Sequence, residues 1–195
     1  MREKHMLTIL IVVGSIAILG SIKVPLKTVP SMRNFVNTTE EIWTYITSED
    51  TKIECKADEK LYLSLISIEF QRSYYYRMKK MCYSLVGRFD PQHKEVMTIH
   101  SPGTTFKQTE SIIYMDEKRT CAVVKVTMYG ARQKKYDLRV RNSSVHAPPG
   151  GKCLKYFQLK AKGQEYKLYK NYCQYLLHRP HTNQFNCTEK KTPYI

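Results

Sequence analysis

Short stretches of β-branched and aromatic residues, separated by turn-forming residues, recur through the middle of the chain. The first stretch contains Trp43, the only tryptophan, and stops at three polar residues, 48–50. Such residues suit a pleated, half-buried surface. Regularly spaced short strands with no helix between them predict an all-β fold, either a sandwich or an up-and-down barrel. The predicted strands are 41–47, 61–70, 81–89, 95–100, 111–115, 120–129 and 135–140.

The stretch 61–70 changes phase in its middle. Apolar residues alternate at 61, 63 and 65, and then at 66, 68 and 70, one residue out of step. A period-2 pattern that slips by one residue predicts a β-bulge, which bends a strand within a barrel.

The first segment of the chain has the layout of a secretory signal peptide. Basic residues precede an apolar run at 6–19, and Gly20 and Ser21 follow it. The run is shorter than the ~20 residues of a membrane span, so a signal peptide is favoured over a signal anchor and no stable membrane insertion is expected. We therefore assign residues 1–22 to a signal peptide, 23–40 to an N-terminal arm with a short helix begun by Ser31, and 41–195 to the folded domain with its tail.

All six cysteines follow the predicted signal peptide. An even number in a secreted chain indicates disulfides formed in an oxidising compartment, but their spacing alone leaves 15 pairings open. Since no Cys-x-x-Cys pair occurs, the sequence predicts neither a zinc site nor a thioredoxin-type site. Asn37, Asn142 and Asn186 begin Asn-x-Ser/Thr patterns, which predict glycosylated surface loops.

The net charge of the chain is +15. Such a protein attracts acidic glycans, anionic lipids or small anionic ligands. Nucleic acid is excluded as a partner because secretion and disulfide formation keep the protein away from it. A basic solvated surface with no specific partner is the simplest explanation of the same charge.

The pattern changes after residue 151. Leu154, Phe157 and Ala161 recur at helical spacing among lysines, and Gly163 stands where a helix ends. This spacing predicts one amphipathic helix laid against the sheet. The remaining residues, 165–195, are predicted to form an extended segment that disulfides tie back.

Six segments, in this order, resemble the tick salivary lipocalins, the family that includes the histamine-binding proteins. They read EIWTY at 41–45, IECK at 53–56, TCAVV at 120–124, YDLRV at 136–140, KCLKYF at 152–157 and YCQ at 172–174. Glu41 replaces the glycine of the general lipocalin Gly-x-Trp motif. The resemblance implies an eight-stranded antiparallel up-and-down lipocalin barrel with a C-terminal α-helix packed on the outside.

The resemblance also implies the disulfides Cys55–Cys173 and Cys121–Cys153, with Cys82–Cys187 as the remaining pair. A barrel around a hollow lacks a full core. Bridges, each worth ~2–4 kcal/mol, compensate by restricting the unfolded chain.

Amine-binding members of the family carry Cys-Asp, then Glu-Leu-Trp or Glu-Leu-Tyr, then Cys. Here Ala122 replaces the first acid, Asp137 retains the second, and Arg139 replaces the aromatic residue. A buried ammonium needs an acidic partner, and a neighbouring cation repels it. The sequence therefore differs from the amine-binding members at two of the positions that their motif specifies, 122 and 139.

If the register of the family holds, the strand at 120–129 presents an apolar wall to the interior. The candidate ligand-binding residues are Trp43, Tyr45, Ala122, Val124, Val126, Met128, Asp137 and Arg139. The opposite register, with Leu138 and Val140 inside and Asp137, Arg139 and Arg141 in solvent, is equally open at this point.

These features predict a secreted salivary protein that modulates host immune and inflammatory defence by sequestering a small hydrophobic ligand, such as a lipid mediator, a fatty acid or cholesterol. One alternative is a scavenger of histamine or serotonin. Another is direct binding of a host immune protein (complement, a cytokine or a dendritic-cell target) through the basic loop 132–135 and the tyrosines at 74–76. The sequence contains no nucleophile elbow, phosphate loop or metal-ligand quartet, so no enzymatic activity, metal or cofactor is predicted.

Overall fold

The computed structural model describes residues 29–130, 133–147 and 149–178. The predicted signal peptide, Asn186 and Cys187 lie outside the described residues. Eight main strands follow in chain order: β1 (Ile42–Thr47), β2 (Ile53–Leu63), β3 (Ser67–Tyr76), β4 (Lys79–Phe89), β5 (Val96–His100), β6 (Lys107–Met115), β7 (Cys121–Met128) and β8 (Lys134–Arg141).

The eight strands close into a barrel. Each strand pairs antiparallel with the next, and β1 pairs with both β2 and β8. A two-residue strand, β9 (Tyr166–Lys167), adds to the end of β1. The predicted eight-stranded antiparallel up-and-down barrel is therefore confirmed.

The slip in the pattern at residues 65 and 66 marks a hairpin and not a bulge within one strand, although the β2–β3 register does shift between Lys60 and Tyr62, at the start of the stretch. β2 ends at Leu63 and β3 begins at Ser67, whose backbone N–H donates to Ser64 Oγ at 2.9 Å. Leu65 lies at the tip of this turn and is 81 % exposed. Because apolar residues occupy the turn, the alternation appears continuous in the sequence although the chain reverses.

A short helix covers one end of the barrel. α1 (Met32–Val36) begins after Ser31, whose Oγ accepts the backbone N–H of Asn34 at 3.3 Å, as predicted. The three buried side chains of α1 join the apolar cluster inside the barrel. Arg141, the last residue of β8, donates from Nη2 to the carbonyl oxygen of Phe35 at 2.8 Å and holds the helix in place.

The predicted C-terminal helix is present as α2 (Gly151–Ala161), and it packs on the outside of the barrel against β7 and β8. Its buried side chains include Phe157. The helix ends at Lys162, which is left-handed with φ of 52°, and Gly163 follows with φ of 85°.

The segment after α2 differs from the extended tail that was predicted. It contains a second outer helix, α3 (Tyr172–His178), 7 residues long. Tyr75 Oη donates to the carbonyl oxygen of Leu176 at 3.2 Å, and Lys80 Nζ donates to that of Leu177 at 3.0 Å. A helix this short has too few apolar repeats for a clear periodic signal.

Two disulfides fasten these helices to the barrel. Cys55–Cys173 joins β2 to α3, and Cys121–Cys153 joins β7 to α2. Both are pairs that the resemblance implies. Cys82 is also disulfide-bonded, while its predicted partner lies outside the described residues.

Apolar side chains are buried on both faces of the sheet. The interior cluster fills the barrel and contains the side chains of α1. The outer cluster lies between the sheet and the helices α2 and α3, and it includes Trp43, Val123 and Phe157. Among the described residues, no helix has the length and apolar content that crossing a membrane requires.

Candidate ligand-binding site in the barrel interior

Strand β7 forms part of an apolar wall inside the barrel. Ala122, Val124 and Val126 point inward and are at most 1 % exposed, and Met128 continues their row at the end of the strand. Neighbouring strands extend this wall with Ile68, Phe70, Leu85, Met97, Ile99 and Ile112. The structure thus has the register in which this face of β7 lines the interior.

A layer of charged side chains crosses the interior next to this wall. The ionic layer, as we name it, consists of three cations and three carboxylates: Lys56, Arg72, Arg139, Asp58, Glu110 and Asp137. They project from β2, β3, β6 and β8. Because the charges balance, the interior has no net excess of either sign within this layer.

Glu110 is the centre of the ionic layer and is fully buried. Arg139 forms a bidentate pair with it, at 2.6 Å from Nη1 to Oε2 and 2.7 Å from Nη2 to Oε1. Arg72 donates to Oε1 at 3.1 Å, and Gln108 donates to the same oxygen at 2.6 Å. Burial alone raises the pKa of Glu110, but the two guanidinium groups outweigh burial and lower that pKa to about 2.

Asp137 is likewise buried and ionised. Its carboxylate accepts from Thr47 Oγ1 at 2.8 Å and from Arg139 Nη2 at 3.3 Å. Burial raises the pKa of Asp137, but the positive charges of Lys56 and Arg139 outweigh it and hold the pKa well below the usual range. With Asp58 paired to Arg72, all three carboxylates of the ionic layer are already paired with cations.

Lys56 is the least satisfied member of the ionic layer. Its Nζ lies 3.7 Å from Asp137 Oδ2, and it has no hydrogen bond within the described part of the chain. Its side chain is only 12 % exposed. Burial lowers the pKa of Lys56 to about 8, a shift that Asp137 opposes and Arg72 reinforces.

Two small cavities border the ionic layer. The helix-side cavity, next to α1, is lined mainly by Phe35, Val36, Ile42, Ile68, Phe70 and Met97, with Asp58 and Arg139 beside them. The loop-side cavity, next to the β1–β2 loop, is lined by Ile53, Tyr74, Leu85, Phe106 and Leu168, with Lys56, Arg72, Gln108 and Lys135. Each has a volume of about 20 Å³, which is room for roughly one water molecule. A larger ligand therefore has to displace side chains.

Trp43 and Tyr45 do not line the interior, which corrects the prediction for these two residues. Trp43 packs edge-to-face on Tyr169 with ring centroids 5.1 Å apart, and its Nε1 donates to Asn142 Oδ1 at 2.9 Å. Tyr45 stacks on the same ring at 5.7 Å. Strand alternation places Ile42 inside and Trp43 outside, where the segment after α2 covers it.

The sequence analysis missed Lys56, Asp58, Arg72 and Glu110. Each is a polar residue at an inward position of an alternating strand. The same pattern is produced by a solvated strand face, so no local signal separates the two cases. Only the closed barrel brings Arg72 of β3 and Arg139 of β8 together on Glu110 of β6.

Some of the surface features predicted for a protein partner are engaged within the molecule, while Gln133 and Lys134 are exposed. Tyr74 is buried and stacks on Tyr83 with ring centroids 5.8 Å apart. Lys135 pairs with Glu49 at 2.5 Å, while Arg132 lies outside the described residues.

The two described glycosylation acceptors differ in their surroundings. Asn37 is exposed. Asn142 is half-buried, and its Oδ1 also accepts from Gln174 Nε2 at 2.5 Å. Glycosylation at Asn37 and Asn142 stays a prediction.

No protein-family model matches the sequence, and a comparison with curated proteins finds no match. Solved structures do match. The structure of the AM182 serotonin complex aligns with a TM-score of 0.56 and 17 % identity, covering 69 % of this chain and 85 % of that one. Lipocalin 12 from rat epididymis aligns with a TM-score of 0.53 and 11 % identity, covering 74 % of this chain and 87 % of that one. Lobster apocrustacyanin A1 aligns with a TM-score of 0.51 and 12 % identity, covering 76 % of this chain and 93 % of that one. At these identities the likeness concerns the fold, and the chain has the fold of the lipocalins.

Proposed function

We propose that this protein is a secreted, non-enzymatic carrier that holds a small hydrophobic ligand inside its barrel. One observation carries the proposal: the interior combines a continuous apolar wall with an ionic layer whose carboxylates are all paired within the layer. Such an interior excludes water from an apolar ligand and offers it a few fixed polar groups.

Amine capture has less support. A buried ammonium needs a carboxylate that no other cation holds. Glu110 is held by two guanidinium groups, and Asp137 is held by Arg139 and Lys56. Asp58, which borders the helix-side cavity, is held by Arg72. An amine therefore has to displace a resident cation. Serotonin is the ligand in the AM182 complex, and amines therefore belong in the test as competitors.

The cavity volumes favour a slim, flexible ligand over a rigid ring system. A cavity of about 20 Å³ has to expand before it admits any organic ligand. Met97 and Met128 are suited to such expansion because their unbranched side chains repack easily. Among the candidates, a fatty acid or a lipid mediator therefore fits better than cholesterol.

We propose further that the carrier acts outside the cell by removing a mediator of host inflammation. The disulfides fit an oxidising, extracellular compartment. Sequestration requires no contact with a host protein. Direct binding to an immune protein has less support, because Tyr74 is buried inside the barrel.

Native mass spectrometry of the secreted, disulfide-bonded protein tests the proposal. We expect one equivalent of a fatty acid or leukotriene to bind and histamine or serotonin to fail as competitors. Leu85→Phe fills the loop-side cavity and is expected to weaken binding about tenfold or more, equivalent to ~1.4 kcal/mol. Val86→Phe, on the outer face of the same strand, is the matched control. Binding of histamine alone, or of no ligand at all, contradicts the proposal.

A further inference from the structure

The loop-side cavity has two chemically distinct sides. One side is apolar and is formed by residues such as Ile53, Leu85 and Phe106. The other side carries the cations Lys56, Arg72 and Lys135, with Glu49 as the only carboxylate among the described lining residues. A ligand that matches both sides has an apolar body and a negatively charged head.

All three cations have a carboxylate partner, Lys56 through Asp137 at 3.7 Å, but only Arg72 and Lys135 donate hydrogen bonds to theirs. Arg72 donates from Nε to Asp58 Oδ1 at 2.6 Å and from Nη2 to Glu110, and Lys135 is paired with Glu49. The ammonium of Lys56, in contrast, has three N–H donors and no hydrogen-bond acceptor among the described residues. A largely buried ammonium without a hydrogen-bond acceptor favours an incoming acceptor.

We propose that the loop-side cavity binds a small organic carboxylate, with the carboxylate on Lys56 and the apolar body against Ile53, Leu85 and Phe106. This inference rests on the proposed function and names the ligand class and the anchoring residue. A neutral sterol or alcohol gains no ion pair at Lys56, and an amine is repelled by it. The site therefore selects for the charge of the head group.

The pH dependence of binding follows from the groups that surround Lys56. They are Asp137, Arg139 and Lys135 on β8, Arg72 on β3 and Glu110 on β6, and Glu49 of the β1–β2 loop lines the same cavity. Burial lowers the pKa of Lys56 to about 8 in the absence of a ligand. A bound carboxylate favours the protonated ammonium, so carboxylate affinity falls as the pH rises from 7 to 9.5.

Calorimetry with decanoate and 1-decanol, on the full disulfide-bonded protein, tests the inference. The two probes have the same chain length and differ in the charge of the head group. Lys56→Met is expected to weaken decanoate binding about tenfold or more, since it removes a charge-assisted hydrogen bond. Lys125→Met, on the outer face of β7, removes the same charge away from the cavity and is expected to leave binding unchanged. Lys125→Met is also expected to leave 1-decanol binding unchanged, and Lys56→Met is expected to change 1-decanol affinity less than decanoate affinity.

The outcomes separate this inference from the proposed function. If neither probe binds the wild-type protein, the proposed function itself fails. If both bind but decanoate affinity is the same in Lys56→Met as in the wild type, only the anchoring role of Lys56 is overturned. The wild-type pH series gives a second measurement that needs no variant. If decanoate affinity stays constant from pH 7 to 9.5, the anchoring role of Lys56 is also overturned.

Discussion

Lys56 carries a charge that the folded state disfavours. Its pKa of about 8 lies below the ordinary 10.5, so the protonated side chain lowers stability at neutral pH, and this loss fades as the pH rises through 8 towards 10.5. We expect Lys56→Met to raise the free energy of unfolding at pH 7 by ~1–3 kcal/mol. Denaturant unfolding at pH 7 and pH 10 measures the effect, which is smaller at pH 10. A variant less stable than the wild type at pH 7 contradicts the expectation.

Arg139 has the opposite effect on stability. Arg139→Met leaves the buried carboxylate of Glu110 with Arg72 as its only charged partner within the described part of the chain. Breaking a buried ion pair from one side costs ~3–5 kcal/mol. Chemical denaturation is expected to show a loss of this size. The double variant Arg139→Met/Glu110→Met removes both charges and is expected to recover most of it. If the double variant is as unstable as Arg139→Met alone, the loss of stability comes from the packing of the Arg139 side chain and not from its charge.

At single positions, the sequence indicates burial but not the side of the sheet. Trp43 and Val124 are both fully buried on alternating strands, yet they belong to the outer and the interior cluster respectively. Alternation assigns sides only when one face of the sheet meets water, whereas α2 and α3 cover part of this barrel. For Ala122, Asp137 and Arg139, periodicity and the family resemblance together left both registers equally open, and only the closed barrel shows that these side chains lie inside.

The disulfide Cys121–Cys153 joins the outer face of β7 to the outer helix α2. Its residues are 32 apart in the sequence, which corresponds to a loss of about 3–4 kcal/mol when the bridge is removed. We therefore expect the double variant Cys121→Ser/Cys153→Ser to unfold at lower denaturant concentration and to bind ligand with unchanged affinity. Unfolding curves and calorimetry on the same preparation measure both quantities. If the folded variant binds ligand more weakly than the wild type, the outer helices do influence the ligand site inside the barrel.

The elements that the sequence predicted well have long patterns and clear end signals. Helix α2 combines repeated apolar spacing with Gly163 after its end, and its predicted position is correct. The hairpin between β2 and β3 was missed because Leu65 and Ile66 occupy its turn, where polar residues are usual. Helix α3 was missed because its 7 residues give little periodicity and its position depends on the bridge to Cys55.

The molecule as a whole is expected to lose stability gradually in acid. The pKa of Glu110 is lowered to about 2 and that of Asp137 is lowered as well, so their contribution is complete above the ordinary carboxyl range. It disappears as the pH falls from ~4.5 to ~2, where the folded state must take up these protons. Unfolding free energies measured at pH 7, 4, 3 and 2 give the profile. Glu110→Gln is expected to be less stable at pH 7 and to show a shallower acid dependence. If the unfolding free energy of Glu110→Gln falls with pH as steeply as that of the wild type, Glu110 is not a source of the acid sensitivity.

The burial of apolar residues on the outer face of the sheet has a consequence for how such a protein diversifies. The fold is stabilised on the outer face of the barrel by Trp43, the contacts of α2 and the two described disulfides. None of these faces the barrel interior. A substitution such as Ala122→Asp or Lys56→Met changes the chemistry inside while those fastenings persist. Under the proposed carrier function, substitutions inside the barrel change which ligand is bound, while the outer contacts that stabilise the fold stay the same.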